Sequence, residues 1–162
     1  ALAAEEIIVR NEFGESYNID LDFNQRILSP SDFGFHNSLR QADGSVVFMD
    51  MEYFGWDDPA KLACDFILHP GMSLTLKQKR FFTERLEVIF RSQRFNFCKR
   101  LRLLKRLYGL RWCMIIMNEF LPERRKRRMM AGEMDNTDVR PRQLNKARQL
   151  FNSIFAAPGS EI

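Results

Sequence analysis

The pair Asp43-Gly44 constrains this chain more than any other stretch, because it stands between two short strand-like runs. The first run covers residues 38–40, and the second, which is apolar, covers residues 46–49. Asp-Gly between two such runs is the strongest short-range sign of a β-hairpin. The sequence therefore predicts a hairpin with a two-residue loop at Asp43-Gly44.

A carboxylate and an amide are predicted to meet at the open end of this hairpin. With a two-residue loop, Asn37 faces Asp50, and directly opposed residues hold their Cβ atoms about 4.5–5.5 Å apart. Oxygen ligands of these two kinds suit Mg²⁺, which proteins often hold through few groups together with substrate phosphates. Asp32, in the loop before the hairpin, is placed to accept the proton of an attacking hydroxyl. These groups are the parts of a phosphoryl-transfer site.

The same residues resemble the catalytic core of the aminoglycoside phosphotransferase and choline kinase family, relatives of the protein kinases. The shared pattern is D-x-x-x-x-N, a short hairpin and an apolar strand that ends in D-x-E-Y, and residues 28–66 carry it. The resemblance implies that Asp32 is the catalytic aspartate and that Asn37 and Asp50 bind the metal ion.

Three departures from the family pattern are visible, and one of them is that Asp65 lies farther from Asp58-Pro59 than the family's corresponding aspartate does from its D-P. The family usually has a histidine two residues before the catalytic aspartate, where this chain has Pro30. The nucleotide-binding half is also missing, since no G-x-G-x-x-G spacing and no kinase-like strand lysine occur. We therefore expect the chain to be the C-terminal lobe alone, with the N-terminal nucleotide-binding lobe upstream of Ala1. By itself the fragment is expected to be inactive.

The resemblance implies a kinase that uses Mg²⁺ and ATP, or another nucleoside triphosphate. It would transfer a phosphoryl group to a hydroxyl of a sugar, an aminoglycoside or an amino alcohol. A competing hypothesis is a pseudokinase-like binding module that has lost the chemistry, and Pro30 is its best support. A third hypothesis, nucleic-acid binding through the basic run 124–128, is weaker, because charge runs usually form a solvated face.

Other polar residues near the site have both a functional and a structural interpretation. Glu52 and Asp57 are candidate substrate-binding residues, although a salt bridge for Glu52 is at least as plausible. His36 can touch phosphate, but a hydrogen bond to the loop backbone is the more common use of such a histidine. His69 is best explained as a residue favoured by the helix dipole. Asp65 is expected to anchor the catalytic loop.

Length and composition fit one domain over residues 1–162 with a proper core, since 45% of the residues are hydrophobic. The net charge of +4 permits contact with phosphates without arguing for nucleic acid. The three cysteines are widely spaced and are expected to be buried and reduced, which indicates a cytoplasmic protein. No apolar run is long enough to span a membrane.

The predicted fold is α+β and mostly helical, a kinase-like C-terminal lobe with a small hairpin beside the catalytic loop. The loop and hairpin occupy residues 28–58, and packed helices occupy residues 59–158. Asp58-Pro59 is a good helix start, and Thr75 with Gln78 forms a capping box. Helices are expected over residues 1–13, 59–68, 97–121 and from Pro141, with a weak strand pattern between residues 17 and 23 and a loop over residues 132–140.

Overall fold

The computed structural model describes residues 2–91, 96–131 and 139–155. They are mostly helical and include two small antiparallel sheets, which confirms the α+β, mostly helical class. The chain divides into two compact units, Ala1–Tyr108 and Gly109–Glu161. A single domain over residues 1–162 and a kinase-like arrangement of its elements stay predictions.

The first unit carries both sheets and the longer part of the helical structure. Strand β1 pairs with β4, and β2 pairs with β3, in both cases antiparallel. In chain order its elements are α1 (Leu2–Phe13), β1 (Ile27–Ser29), β2 (Ser38–Arg40), β3 (Val46–Phe48), β4 (Gly55–Asp57), α2 (Pro59–Leu68), α3 (Leu76–Phe90) and the first part of α4 (Phe97–Ile116).

The hairpin β2–β3 forms as predicted, but its register is one residue away from the expected one. Ser38 pairs with Phe48, and the N–H of Gln41 donates to the Ser45 carbonyl over 2.9 Å. The loop therefore has three residues, and its last one, Gly44, has a φ of 87°. A turn closed by a residue in the left-handed region is a common three-residue hairpin loop, and it favours glycine at that position.

The predicted helix starts are confirmed by their capping bonds. The Asp58 carboxylate accepts a hydrogen bond of 2.8 Å from the N–H of Ala60. Thr75 and Gln78 exchange side-chain and backbone hydrogen bonds in the expected capping box. The weak strand pattern between residues 17 and 23 is wrong, because short 3-10 helices cover Gly14–Asn18 and Phe23–Gln25 there. Alternation over so few residues is a poor guide when no partner strand lies alongside.

A cluster of phenylalanine rings holds residues 30–37, here called the Asp32 loop, and the hairpin against helices α2 and α3. Phe33, in the loop, stacks on Phe66 of α2 with ring centroids 5.1 Å apart, and it contacts Phe48 of β3 at 5.3 Å. Phe66 in turn stacks on Phe82 of α3 at 4.0 Å. Aromatic pairs of this kind contribute about 0.5–1.5 kcal/mol beyond the burial of their area. The cluster therefore fixes where the loop lies in the first unit.

The second unit contains the end of α4, a 3-10 helix, α5 and α6. Helix α4 ends at Ile116, earlier than expected, and Met117–Phe120 continues as a 3-10 helix. Helix α5 (Pro122–Met130) holds the basic run, and its described side chains are exposed, as expected for a solvated face. Helix α6 (Val139–Phe155) begins two residues before Pro141. Most of the predicted loop, residues 132–138, lies outside the described residues.

Two expectations from composition can be compared with the structure. No helix among the described residues combines the length and the apolar character that crossing a bilayer requires. The three cysteines are free thiols. Cys64 is buried as expected, but Cys98 is exposed and Cys113 is only partly buried.

Candidate active site

Asp32 follows a strained turn that begins where strand β1 ends. The N–H of Asp32 donates to the Pro30 carbonyl over 2.8 Å, and the residue between them, Ser31, has a φ of 60°. A residue other than glycine in this region costs on the order of 1–3 kcal/mol and persists only where its surroundings hold it. The Ser29 hydroxyl accepts from the N–H of Ser31 over 3.1 Å and is one of the groups that hold the turn.

Lys61 of α2 is the second anchor of this turn. Its ammonium group lies 2.6 Å from Asp57 and 3.0 Å from Asp65, and it donates to the Ser31 hydroxyl over 3.3 Å. Burial lowers the pKa of Lys61, but the hydrogen bonds to the two carboxylates outweigh it and raise the pKa above its ordinary value. Asp65 thus acts on the loop through Lys61, in partial agreement with its predicted anchoring role.

Asn37 joins the two ends of the D-x-x-x-x-N segment. Its amide nitrogen donates a hydrogen bond of 2.9 Å to the backbone carbonyl of Asp32. The backbone carbonyl of Asn37 accepts a second hydrogen bond of 2.9 Å, from the N–H of Met49. The side-chain oxygen of Asn37 is therefore the atom that remains for a ligand, and the loop and the end of β3 are tied together at this residue.

Asp50 lies two residues after the end of β3, and it does not face Asn37 as predicted. Because the loop has three residues, Met49 pairs with Asn37, and Asp50 is the next residue beyond the hairpin mouth. Its φ is 61°, a region that aspartate tolerates better than most residues. Within residues 2–91, 96–131 and 139–155, the Asp50 carboxylate forms no hydrogen bond or ion pair. An amide oxygen and a carboxylate fit the hard-ligand chemistry of Mg²⁺.

Tyr53 connects three of the acidic residues electrostatically. Glu52 raises the pKa of the Tyr53 phenol most, through a hydrogen bond, and the charges of Asp50 and Asp32 raise it further. A charge affects a pKa in this way only when it lies nearby. The charges of Glu52, Asp50 and Asp32 therefore all act on one exposed phenol, and they contribute negative charge to its surroundings.

The contacts of Asp57, the other candidate substrate-binding residue, are with Lys61 and with the start of α2. Asp57 is in strand β4, where its carboxylate pairs with Lys61 and accepts a hydrogen bond of 2.8 Å from the N–H of Asp58. Its side chain is 24% exposed, against 42% for that of Asp32. These contacts explain Asp57 as part of the Lys61 anchor, and a role in binding substrate stays a prediction.

Two histidines contact the Asp32 carboxylate, and sequence reasoning assigned neither to it. The Nε2 atom of His36 lies 3.2 Å from Oδ1 of Asp32, and that of His69 lies 3.6 Å from the same oxygen. We expected His36 to form a hydrogen bond to the loop backbone, but its Nε2 lies next to the Asp32 carboxylate instead. The position of His69 at the end of α2 did suggest a dipole role, but the contact with Asp32 joins residues too distant in sequence for any local pattern to reveal.

The three side chains are the one group of this size among the described residues whose ligand atoms lie close enough for a metal ion, within 4.8 Å. Their geometry does not fit one. The two imidazole rings are stacked, with centroids 3.7 Å apart and planes inclined by 7°. An imidazole binds metal in its ring plane, at about 2.0–2.1 Å. An ion between the parallel rings would lie outside both ring planes by nearly the length of a metal–nitrogen bond. The cluster is therefore better suited to hydrogen bonding.

Comparisons of this chain with protein-family models, with curated proteins and with solved structures found no match. The family resemblance therefore rests on the residues of the segment 28–66 alone. Of the residues that carry it, Asp32 and Asn37 are joined by a hydrogen bond. Asp50 is linked to them through the end of β3.

Proposed function

We propose that this chain is the catalytic C-terminal lobe of a small-molecule phosphotransferase that uses Mg²⁺ and a nucleoside triphosphate. The observation that supports it best is the hydrogen bond from Asn37 to the Asp32 backbone at the mouth of the hairpin. It ties the proposed catalytic aspartate to a proposed metal ligand. The second proposed ligand, Asp50, directly follows Met49, whose N–H is bonded to the Asn37 backbone carbonyl.

Asp32 has the role of orienting the acceptor hydroxyl and taking its proton. Oxygen Oδ1 of Asp32 is near both histidines, which leaves Oδ2 as the atom for the acceptor. The side chain is 42% exposed, so an acceptor can reach it. A base in hydrogen-bond reach of the hydroxyl contributes about 10²–10⁴-fold, and alignment of the reacting atoms contributes further.

Asn37 and Asp50 have the role of holding Mg²⁺, which would neutralise charge on the phosphates of the nucleotide. The acceptor is a hydroxyl of a sugar, an aminoglycoside or an amino alcohol. The acidic surroundings of Tyr53 favour acceptors that carry an amino group, since carboxylates attract cations. The proposal requires a nucleotide-binding part outside residues 1–162, because these residues contain no glycine-rich phosphate loop.

Calorimetric titration of the full-length protein with Mg-ATP tests this proposal. We expect saturable binding that depends on Mg²⁺. Asp50→Ala should weaken it at least tenfold, because a metal ligand is lost, while Asp57→Asn should affect it much less. Absence of Mg-ATP binding in the full-length protein would refute the proposal.

The second candidate is a binding module of the pseudokinase kind, and Pro30 favours it, since it stands where the family has a loop-supporting histidine. Such a module would bind its ligand without transferring phosphate. Mg-ATP binding accompanied by no transfer to any hydroxyl of a broad acceptor panel would favour this candidate over the enzyme.

A further inference from the structure

The segment His69–Met72, between α2 and α3, supports the Asp32 loop at two points. The N–H of Phe35 donates to the Met72 sulfur over 3.3 Å. At the other point, the His69 ring stacks on His36 and approaches the Asp32 carboxylate. The loop therefore lies on a second stretch of chain that no motif in the family pattern includes.

The tautomer of His69 is determined by the hydrogen bond that its Nδ1 atom accepts. The N–H of Gly71 donates a hydrogen bond of 3.1 Å to Nδ1 of His69, so Nδ1 must offer a lone pair. In a neutral imidazole the proton then resides on Nε2. That nitrogen lies 3.6 Å from Oδ1 of Asp32, just beyond hydrogen-bond distance, so the Nε2–H dipole attracts the carboxylate without a formed hydrogen bond. The side chain is 14% exposed, so water competes little for this contact.

We infer that His69 is a positioning residue for Asp32: its Nε2–H, set by Gly71, keeps Oδ1 of the carboxylate turned inward and Oδ2 turned to the acceptor. His36 adds a second contact to the same oxygen, 3.2 Å from its own Nε2. The segment 69–72 thereby supplies, from a distant part of the chain, the loop support that Pro30 cannot. The catalytic consequence rests on the proposed function, whereas the tautomer and the contact do not.

Two substitutions distinguish the hydrogen bond that His69 accepts from Gly71 from the contact that it makes with Asp32. In His69→Gln, the side-chain NH₂ takes the place of Nε2–H and can still donate to Asp32. In His69→Asn, the shorter amide can still accept from Gly71 but cannot reach Asp32. A residue that only packs would respond similarly to both changes, whereas a positioning residue should respond to the loss of the donor.

The first test is the ring-nitrogen spectrum of the 162-residue chain at neutral pH, recorded by long-range ¹H–¹⁵N correlation. The chain has two histidines, so one His36→Gln variant assigns both. We expect His69 as the neutral tautomer protonated at Nε2, with its Nε2 signal shifted by Asp32→Asn. Protonation at Nδ1, a doubly protonated ring, or no response to Asp32→Asn would overturn the inference.

The second test is phosphate transfer by the full-length protein. His69→Asn should lower kcat roughly 10- to 100-fold with little change in the KM for the nucleotide, because a misplaced base slows the chemical step. His69→Gln should recover most of the rate. If Asp32→Asn abolishes transfer and the two His69 variants behave alike, the positioning role is wrong and the proposed function stands. If the wild type transfers no phosphate, the proposed function fails, and the nitrogen spectrum still decides the contact.

Discussion

The imidazole rings of His36 and His69 stack face to face, with centroids 3.7 Å apart and planes inclined by 7°. One ring belongs to the loop that carries Asp32, and the other ends helix α2. Both approach Oδ1 of Asp32 with Nε2. The position of the proposed catalytic carboxylate therefore depends on a helix end as well as on its own loop.

This arrangement predicts a pH dependence of stability that originates in His69. Burial, with a smaller contribution from His36, lowers the pKa of His69 from 6.5 to about 4, against the opposing charge of Asp32. Between these values the unfolded chain binds a proton at His69 that the folded chain does not. Stability should therefore fall as the pH decreases through this window, by up to about 1.4 kcal/mol per pH unit from this group.

Denaturant unfolding of the wild type and of His69→Gln from pH 4 to pH 7.5 measures this effect. Groups remote from His69 titrate equally in both proteins, so their contribution cancels in the difference. The wild type should lose stability relative to the variant as the pH decreases below 6.5. Parallel profiles would show that the pKa of His69 is not lowered.

Gly34 is predicted to be required for contact between the Asp32 loop and Met72. A Cβ atom at this position would lie 2.3 Å from the Met72 sulfur and 2.9 Å from Nδ1 of His36. Gly34→Ala should therefore destabilise the chain by about 1–3 kcal/mol, as overpacking usually does. Gly55→Ala is the control, because no atom lies within 4 Å of a Cβ there. Equal free energies of unfolding for the two variants would contradict this packing.

Lys61 is predicted to stabilise the strained turn before Asp32. Lys61→Met leaves the carboxylates of Asp57 and Asp65 without their shared cation and removes a donor from Ser31. We expect a loss of about 2–3 kcal/mol, less than for a fully buried pair, because Asp57 is 24% exposed. The exposed Lys77 of α3 provides the control, and Lys77→Met should change the unfolding free energy by less than about 0.5 kcal/mol. A similar small effect of Lys61→Met would contradict the anchoring role.

Local signals in the sequence predicted the elements of the site well. The Asp-Gly pair indicated the hairpin, Asp58 with Pro59 indicated the start of α2, and these features form as expected. Such signals succeed because they depend on φ/ψ preferences and on bonds to neighbours only a few residues away. The register failed by one residue because Asp43 does not adopt the positive φ that a two-residue type I′ loop requires, so Ala42 joins Asp43 and Gly44 in a three-residue loop.

The contacts of the histidines could not be predicted from the sequence. His36 and His69 are separated by a hairpin, a strand and a helix, and no periodic pattern links them. Their meeting depends on how the loop packs on α2 through Phe33 and Phe66, which is a property of the assembled core. The anchoring of Ser31 by Lys61 has the same origin, since one lysine on a helix gives no sign of its partner in a distant turn.

Transfer of labelled phosphate from ATP by the full-length protein, assayed on sugars, amino alcohols and aminoglycosides, tests the central claim most directly. We expect Mg²⁺-dependent transfer to at least one hydroxyl acceptor, reduced at least 10²-fold by Asp32→Asn because the base is lost. ATP binding should persist in that variant. A wild-type protein that transfers no phosphate to any acceptor, or an Asp32→Asn variant as active as the wild type, would contradict the assignment of Asp32 as the catalytic base.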